Sequence, residues 1–548
     1  MIRGARVLLG VFLTTALAGG VLAAPVKDRA ATASEQPLAY ADVYAIPGPL
    51  AAATARALDT AVADGVLLKR DAESVAAFYA ARGNEPVWIE DGAFTPHALE
   101  LIARIRRADE DGLNPADYKL PWTEVGLYLD SVNDKLARAD LELSQAVALY
   151  ARHAYSGRVT PSEISSNLNY KLNPPAAADV LALVSGASDP VATLEAYQPP
   201  QPEYAALRDE LARLRAAAAA ADSLPVVGEG DLLKPGMSDP RVPVIRERMQ
   251  LASATIDPEL YDEILVEAVK GFQASSGLRS DGIIGKNTVS AMNARGADPV
   301  ETIVLNMERW RWMPRYLGDF YVQVNLPSYT LYVYRDGAVF HTTRVVIGKV
   351  SSQTPIFSDE IEHIVVNPYW NVPASIVRNE LMPAMRKGSG LRGYQVYAKV
   401  RGRYRAIDPG SVNWRKVDAR SIQVKQPPGA RIALGEVKFL FPNQYDVYLH
   451  DTPSKSLFER EDRAFSHGCM RVMNPWDFAE ALLSNTDQVS AAALRKQVGG
   501  GESWVNLDKH IPVHITYFTA WVDDSGKLQL RNDVYGLDKR LAAALDPS

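Results

Sequence analysis

Apolar positions follow a helical period through the earlier part of the chain and a two-residue period from about Gly318 onward. Leu99, Ile102, Ala103 and Ile105 fall on one helix face, which stops at Asp111-Gly112-Leu113-Asn114-Pro115. Leu141 to Tyr155 is a second amphipathic run, and 205–221 is a third that ends in the alanines Ala216 to Ala221. Pro225, Gly228, Gly230, Pro235 and Gly236 mark a linker over 222–236. A small helical unit follows: Val244, Ile245 and Met249 mark one helix, and Leu260, Ile264, Ala268 and Phe272 recur along a second. The Asp281-Gly282 turn and Gly285 then lead into a short helix around Thr288, Val289 and Met292. Beyond Gly318, Phe320, Val322, Val324 and Leu326 alternate with polar partners, and Tyr329, Leu331 and Val333 do so before the Arg335-Asp336-Gly337 turn. Further strands are expected at 339–347, 361–366, 437–441, 445–449 and 512–521.

Between Asn367 and Val437 lie about seventy residues rich in basic side chains, with Trp370 and Trp414. So long a segment beside strand ends is either a lid or binding surface, or an inert subdomain. The fold class is multidomain α+β. A helical scaffold over 46–221 and the linker precede a small helical domain over 237–296. A mostly β domain spans 297–520 with its insertion over 375–435, and a hairpin and tail occupy 521–548.

Composition narrows the function classes only slightly. With 47% hydrophobic and 23% charged residues the chain is ordinary for a globular protein, and a net charge of −6 gives no global attraction to nucleic acid. The N-terminus says more. Arg3 and Arg6 precede an almost wholly apolar Val7 to Leu17, and Val21-Leu22-Ala23-Ala24 offers small residues for cleavage. That order predicts a secretory signal peptide over 1–24, with an uncleaved anchor as the alternative, and a tether over 25–45. Either way the bulk of the chain lies outside the cytoplasm.

An exported chain with one cysteine cannot close an internal disulfide, so Cys469 is either buried filler or a nucleophile. Its neighbours, Ser466-His467-Gly468-Cys469-Met470-Arg471, are small, polar and cationic, which suits a thiolate. His450 closes the 445–449 alternation and is free to approach from another element. It is therefore the candidate base, with His467 as a positioning group. The N–H groups of His467, Gly468 and Cys469 are candidate oxyanion donors. Zinc binding by His450, His467 and Cys469 is a poor rival, because there is one cysteine and no nearby His-x-x-x-His. His341 and His363 read as packing or surface residues, and Asp109-Glu110-Asp111 as a solvated acidic helix end. Ser466 suits a turn hydroxyl better than a second nucleophile.

Two resemblances sharpen this reading. Phe272-Gln273, Gly277-Leu278, Asp281-Gly282-Ile283-Ile284-Gly285 and Thr288 resemble the three-helix peptidoglycan-binding domain, for which a ligand-free spacer is the alternative. A histidine followed by Ser-His-Gly-Cys, with fifteen residues between His450 and Ser466, resembles the L,D-transpeptidases with the YkuD-type catalytic fold. Asn367-Pro368-Tyr369-Trp370-Asn371-Val372-Pro373, Gly435-Glu436-Val437-Lys438-Phe439, Phe441-Pro442-Asn443, Tyr448-Leu449-His450-Asp451-Thr452-Pro453 and Arg531-Asn532-Asp533-Val534-Tyr535-Gly536 are similar to the large, capped, YcbB-like subgroup. Two departures stand out. The family commonly has His-Gly where this chain has His450-Asp451, so the imidazole is oriented either by the backbone carbonyl or by the side chain of residue 451. Arg431-Ile432 stands where relatives often have an asparagine before Ala-Leu-Gly.

The resemblance implies a scaffold, a peptidoglycan-binding domain and a capped catalytic domain, with no organic cofactor and no metal. It implies that His450 deprotonates Cys469 and that a tetrapeptide stem is acylated onto the thiol with loss of D-Ala. A second stem's amine then forms a 3-3 cross-link. Tyr448, Asp451, Ser466, Arg471 and Trp370 are the candidate substrate-contacting residues, with an internal salt bridge as the equal alternative for Arg471. Donor and acceptor stems are the implied partners, carbapenem-type β-lactams the covalent inhibitors, and a Gram-negative-type periplasm the location, with an N-terminal inner-membrane tether as an option. Water as acceptor would make an L,D-carboxypeptidase or peptidase, a protein amine would make a wall-attachment enzyme, and loss of chemistry would leave a wall-binding scaffold.

Overall fold

The computed structural model describes residues 48–121, 132–218, 225–252, 257–293, 299–388, 392–429 and 432–546; the expected signal and tether, and Arg431, lie outside them. Among the described residues no helix is long and apolar enough to cross a membrane. The scaffold is helical, built around the long helix Val132–Ser156. Its helix Pro96–Arg106 buries Ala98, Leu101, Ile102, Arg104 and Ile105, while Leu99 and Ala103 face solvent, so the buried face is rotated from the expected one. Arg104 is the cause: it turns inward to pair with Asp111 and Glu195. Asp111 is accordingly not a solvated helix end. It is fully buried and also accepts the Tyr150 hydroxyl at 2.6 Å.

The small helical unit comprises Val242–Arg248, Glu263–Ser275 and Lys286–Asn293. Its middle helix buries Leu265, Val266, Val269 and Gln273, and Ile264 is exposed, again one step from the expected face. The reason is polar. Gln273 folds inward, donating to Ile283 O at 2.9 Å and accepting from Gly282 N–H at 2.9 Å, and so closes the Asp281-Gly282 turn.

Among the described residues the main sheet of the β domain has nine strands: β1 Phe320–Asn325, β2 Thr330–Arg335, β3 Ala338–Gly348, β4 Ser358–Val366, β5 Val437–Leu440, β6 Leu449–His450, β7 Ala464–Ser466, β8 Met470–Val472 and β9 Ser503–Thr516. Their order is β7-β3-β8-β6-β5-β4-β9-β1-β2, and β2 also pairs with β3, so the sheet closes on itself. Two expected strands are cut short. In 445–449 only Leu449 joins a strand, because Asp446 is left-handed (φ 53°) and Asn443 stitches the preceding turn through Val447 N–H and O. The expected 512–521 strand breaks after Thr516, where the Asn325 amide takes both Phe518 N–H and O, and restarts at Ala520–Val522. After that hairpin the residues expected as a tail form a helix, Leu537–Leu545, that buries Leu537, Leu541 and Leu545 in the barrel's core.

The insertion between β4 and β5 has its own four-stranded sheet, formed by Trp370–Asn371, Gln395–Val400, Arg403–Ile407 and Ile422–Gln426. Its own core contains Trp414, Met382, Met385 and Val424. It is a folded unit with a sheet and a core of its own.

Candidate active site

Laterally paired residues in a sheet share a face, and successive residues alternate. Lys438 of β5 lies opposite His450 of β6, and His450 lies opposite Arg471 of β8. These three form one row. Tyr448 and Cys469, two residues back on adjoining segments, fall on the same face, and Met470 N–H donates to Tyr448 O at 3.1 Å. The intervening Phe439, Leu449 and Met470 are fully buried on the opposite side, in the core. Apolar-in, polar-out alternation therefore lays the candidate chemistry out as a patch.

The turn carrying Cys469 is held from several directions. The Ser466 hydroxyl donates to Cys469 O and accepts Gly468 N–H at 3.1 Å, while Lys349 N–H donates to Ser466 O at 2.9 Å. Gly468 sits at φ 120°, a conformation that needs glycine, and its carbonyl accepts the Thr354 hydroxyl at 2.8 Å. Thr354 is in turn fixed by Gly348 N–H and by Tyr535 near the C-terminus. Ser466, expected both as a turn hydroxyl and among the substrate-contacting residues, is a buried turn clamp. Gly468 N–H, expected as an oxyanion donor, is already satisfied. The N–H groups of His467 and Cys469 make no hydrogen bond among the described residues, so they are the donors left for an oxyanion.

The thiol lies 3.8 Å from Asp446 O. Burial pushes it up to about 11, and the Tyr448 amide and hydroxyl, with Arg471, oppose that rise. The Tyr448 ring meets the His450 ring edge-on at 5.7 Å, so Tyr448 touches both thiol and imidazole. No hydrogen bond joins His450 to Cys469 directly among the described contacts. Burial pulls His450 down to about 4; the Asp451 carbonyl opposes this, and Arg471 and Lys438 reinforce it. The imidazole is thereby kept neutral, the form that can accept a proton. His450 Nδ1 is held by Asp451 O, so the carbonyl orients the ring. The Asp451 carboxylate points elsewhere: it accepts Glu436 N–H at 2.9 Å and Lys455 Nζ at 2.7 Å.

The remaining expected residues divide. Arg471 shares the patch and has no ion pair among the described residues, and burial lowers its pKa. His467 turns to the cap: its Nε2 lies 2.6 Å from Glu380 Oε1, and Lys349 Nζ is 3.2 Å away. Trp370 belongs to the cap sheet and packs on Tyr394 at 6.4 Å. Asp451 supports the histidine and does not face the patch with its carboxylate. Sequence reasoning missed Asn443, Asp446, Thr354 and Glu380, which act through turn geometry and long-range pairing, for which a linear pattern has no signal. Lys438 was detectable, being two residues into a strand that pairs with the histidine's strand. Among the described residues no group of His, Cys, Asp and Glu side chains converges as a metal site would require.

Three family descriptions match this chain: a scaffold domain over 73–211, a "Putative peptidoglycan binding domain" over 248–292, and the YkuD L,D-transpeptidase catalytic domain over 319–496. A curated Haemophilus influenzae protein named "Putative L,D-transpeptidase" is 31% identical over 245 residues, 44% of this chain and 49% of that protein. The match therefore spans about half the length of the relative. Among solved structures, an L,D-transpeptidase from Stackebrandtia nassauensis aligns at 15% identity and TM-score 0.20, covering 54% of this chain and 97% of that one. An L,D-transpeptidase in complex with imipenem aligns at 14% identity and TM-score 0.17, covering 36% and 59%. By its matched segments, the chain carries a YkuD-family L,D-transpeptidase catalytic domain preceded by a scaffold domain and a peptidoglycan-binding domain.

Proposed function

We propose that the protein forms 3-3 cross-links between peptidoglycan stem peptides through a thioester on Cys469. The observation that carries this reading is the gathering of Cys469, Tyr448, His450 and Arg471 on one face of β6, β8 and the segments that lead into them, with Glu380 of the cap against His467. With the thiol raised and the imidazole lowered, the resting pair is neutral thiol and neutral imidazole. Proton loss then accompanies attack: Sγ bonds to the carbonyl carbon of the third stem residue as its proton passes to His450. The oxyanion is received by His467 and Cys469 N–H. His450 returns the proton to the departing D-Ala amine, leaving the thioester. The side-chain amine of a second stem attacks, its proton goes to His450, and the thiol is released. General acid–base help of this kind contributes about 10²–10⁴-fold.

The peptidoglycan-acting domains imply an envelope location, and the leader pattern over 1–24 supports export to a periplasm with Cys469 outside the cytoplasm. Carbapenems, whose acyl carbon offers the same electrophile, are the proposed covalent inhibitors. The test is incubation of wild type and Cys469→Ala with purified tetrapeptide stems or a carbapenem, followed by intact mass and product analysis. A covalent adduct on wild type alone, with a cross-linked dimer released, is expected. Tripeptide without dimer would assign the enzyme to hydrolysis, and an equal adduct on Cys469→Ala would sink the thiol mechanism.

A further inference from the structure

Lys438 shares the row of His450 and Arg471, and the catalytic reading gives it no step. It is 7% exposed, and its ammonium has neither hydrogen bond nor ion pair among the described residues. What surrounds it is aromatic: Nζ lies 5.9 Å from the Tyr448 ring centroid and 5.4 Å from that of Trp504. Trp504, on β9, is half exposed, so this aromatic slot opens at the edge of the patch. Burial lowers the pKa of Lys438; Glu502 opposes this without forming an ion pair, and its Oε1 is taken by Tyr369 N–H at 2.7 Å. A buried cation without a counter-ion is costly, and lysine is almost never buried unless paired. Ring faces attract the cation, which holds it in place but does not replace an anion.

Lys438 and Arg471 flank His450, one strand away on either side, and adjacent strands are about 4.8 Å apart. The cap carries thirteen Lys and Arg against three Asp and Glu over 375–435, net +10, while the rest of the chain carries 46 against 62, net −16. Local charge on this side of the molecule therefore favours an acidic ligand.

We propose that Lys438, framed by Tyr448 and Trp504, is a carboxylate-binding subsite that holds a free carboxylate of the donor stem peptide beside Cys469. The inference rests on the proposed function for the identity of the ligand. Lys438 is a specificity residue: it forms one charge-assisted hydrogen bond to the substrate and takes no part in bond making. Emptied of ligand, the slot holds an unpaired cation; filled, it pairs the cation and fixes the stem's direction across the row.

The experiment compares donor stems bearing free carboxylates with the same stems converted to carboxamides, in wild type and Lys438→Met. Wild type is expected to favour the acid by about 10- to 100-fold in kcat/KM, mostly through KM. Lys438→Met should lose that preference, and Lys438→Arg should keep part of it. An unchanged acid-to-amide ratio in Lys438→Met overturns the proposal. A second measurement needs only wild type and binding. Carbodiimide activation of the acidic stem should link it to Lys438, located by peptide mapping; linkage at surface lysines alone also overturns it. If wild type turns over neither stem but the link at Lys438 forms, the failure belongs to the proposed reaction and not to the subsite.

Discussion

The imidazole of His450 leans on the carbonyl of Asp451 while the Asp451 carboxylate faces away, towards Lys455 and the Glu436 amide. Substituting the side chain should therefore spare the base. Asp451→Gly is expected to keep near wild-type acylation of Cys469 while losing about 1 kcal/mol of stability, since Lys455 is half exposed and its pairing is screened. Its acylation rate and its Tm check this together, and a collapse of acylation without unfolding would return the orienting role to the carboxylate. The pH dependence follows from the same two groups. His450 sits near 4, so its base form persists well below the ordinary histidine value, and kcat/KM should fall only as pH drops through about 4. Tyr448 favours the thiolate, so Tyr448→Phe removes that help, raises the thiol further and slows acylation at neutral pH by about tenfold. A profile whose acid limb lies near 6.5, with Tyr448→Phe unchanged, would contradict both assignments.

Turns rather than strands deliver these residues to one another. Asn443 accepts from Tyr445 and Val447 N–H and donates to Phe441 and Val447 O, which shapes the turn presenting Asp446 O and Tyr448 to the thiol. Asn443→Ala strips those bonds at once. It should cost about 2–3 kcal/mol and slow carbapenem acylation far more than it lowers Tm, because the loosened turn is the one against Cys469. Thermal melts beside acylation rates test this, and a loss of stability with normal acylation would show that the turn does not position the site. The same turn marks the limit of what the sequence made legible. Alternation revealed β1, β2 and the change of period near Gly318, β3 to β5 were expected from the strand-like segments after them, and the single cysteine led to the site. Left-handed Asp446 hid behind an alternating Tyr445 to Leu449, and the helix faces were displaced by inward-turning Arg104 and Gln273. In each case a polar side chain satisfied by a distant backbone or partner overrode the local period, and distant partners leave no trace in spacing.

The domains are not beads on linkers. The helix Pro299–Trp312 joins scaffold to barrel, packing Ile303, Met307 and Trp310 with Tyr204, Leu207 and Leu211 on one side and Tyr321 and Phe518 on the other. Three charged residues of this helix, Glu308, Arg309 and Arg311, are at most 4% exposed. Arg309 pairs with Asp538 of the C-terminal helix at 2.6 Å, and Glu308 accepts Val159 N–H from the scaffold at 3.1 Å. Arg311 donates to Asp111 O and to Tyr204 OH in the scaffold and pairs with Glu308 at 3.2 Å. A buried pair adds little net stability over an apolar replacement of both partners, but removing one partner strands the other charge and costs about 3–5 kcal/mol. Arg311→Met strands Glu308 and frees the Asp111 carbonyl, both at the scaffold–barrel seam. Scaffold and barrel should melt in one calorimetric transition in the wild type and in two, the first at lower temperature, in this variant. The patch around Cys469 lies within the barrel, so acylation at low temperature should survive. A single unshifted transition would mean that the shared apolar core alone couples the two parts, and loss of acylation in the folded variant would mean that the seam reaches the site.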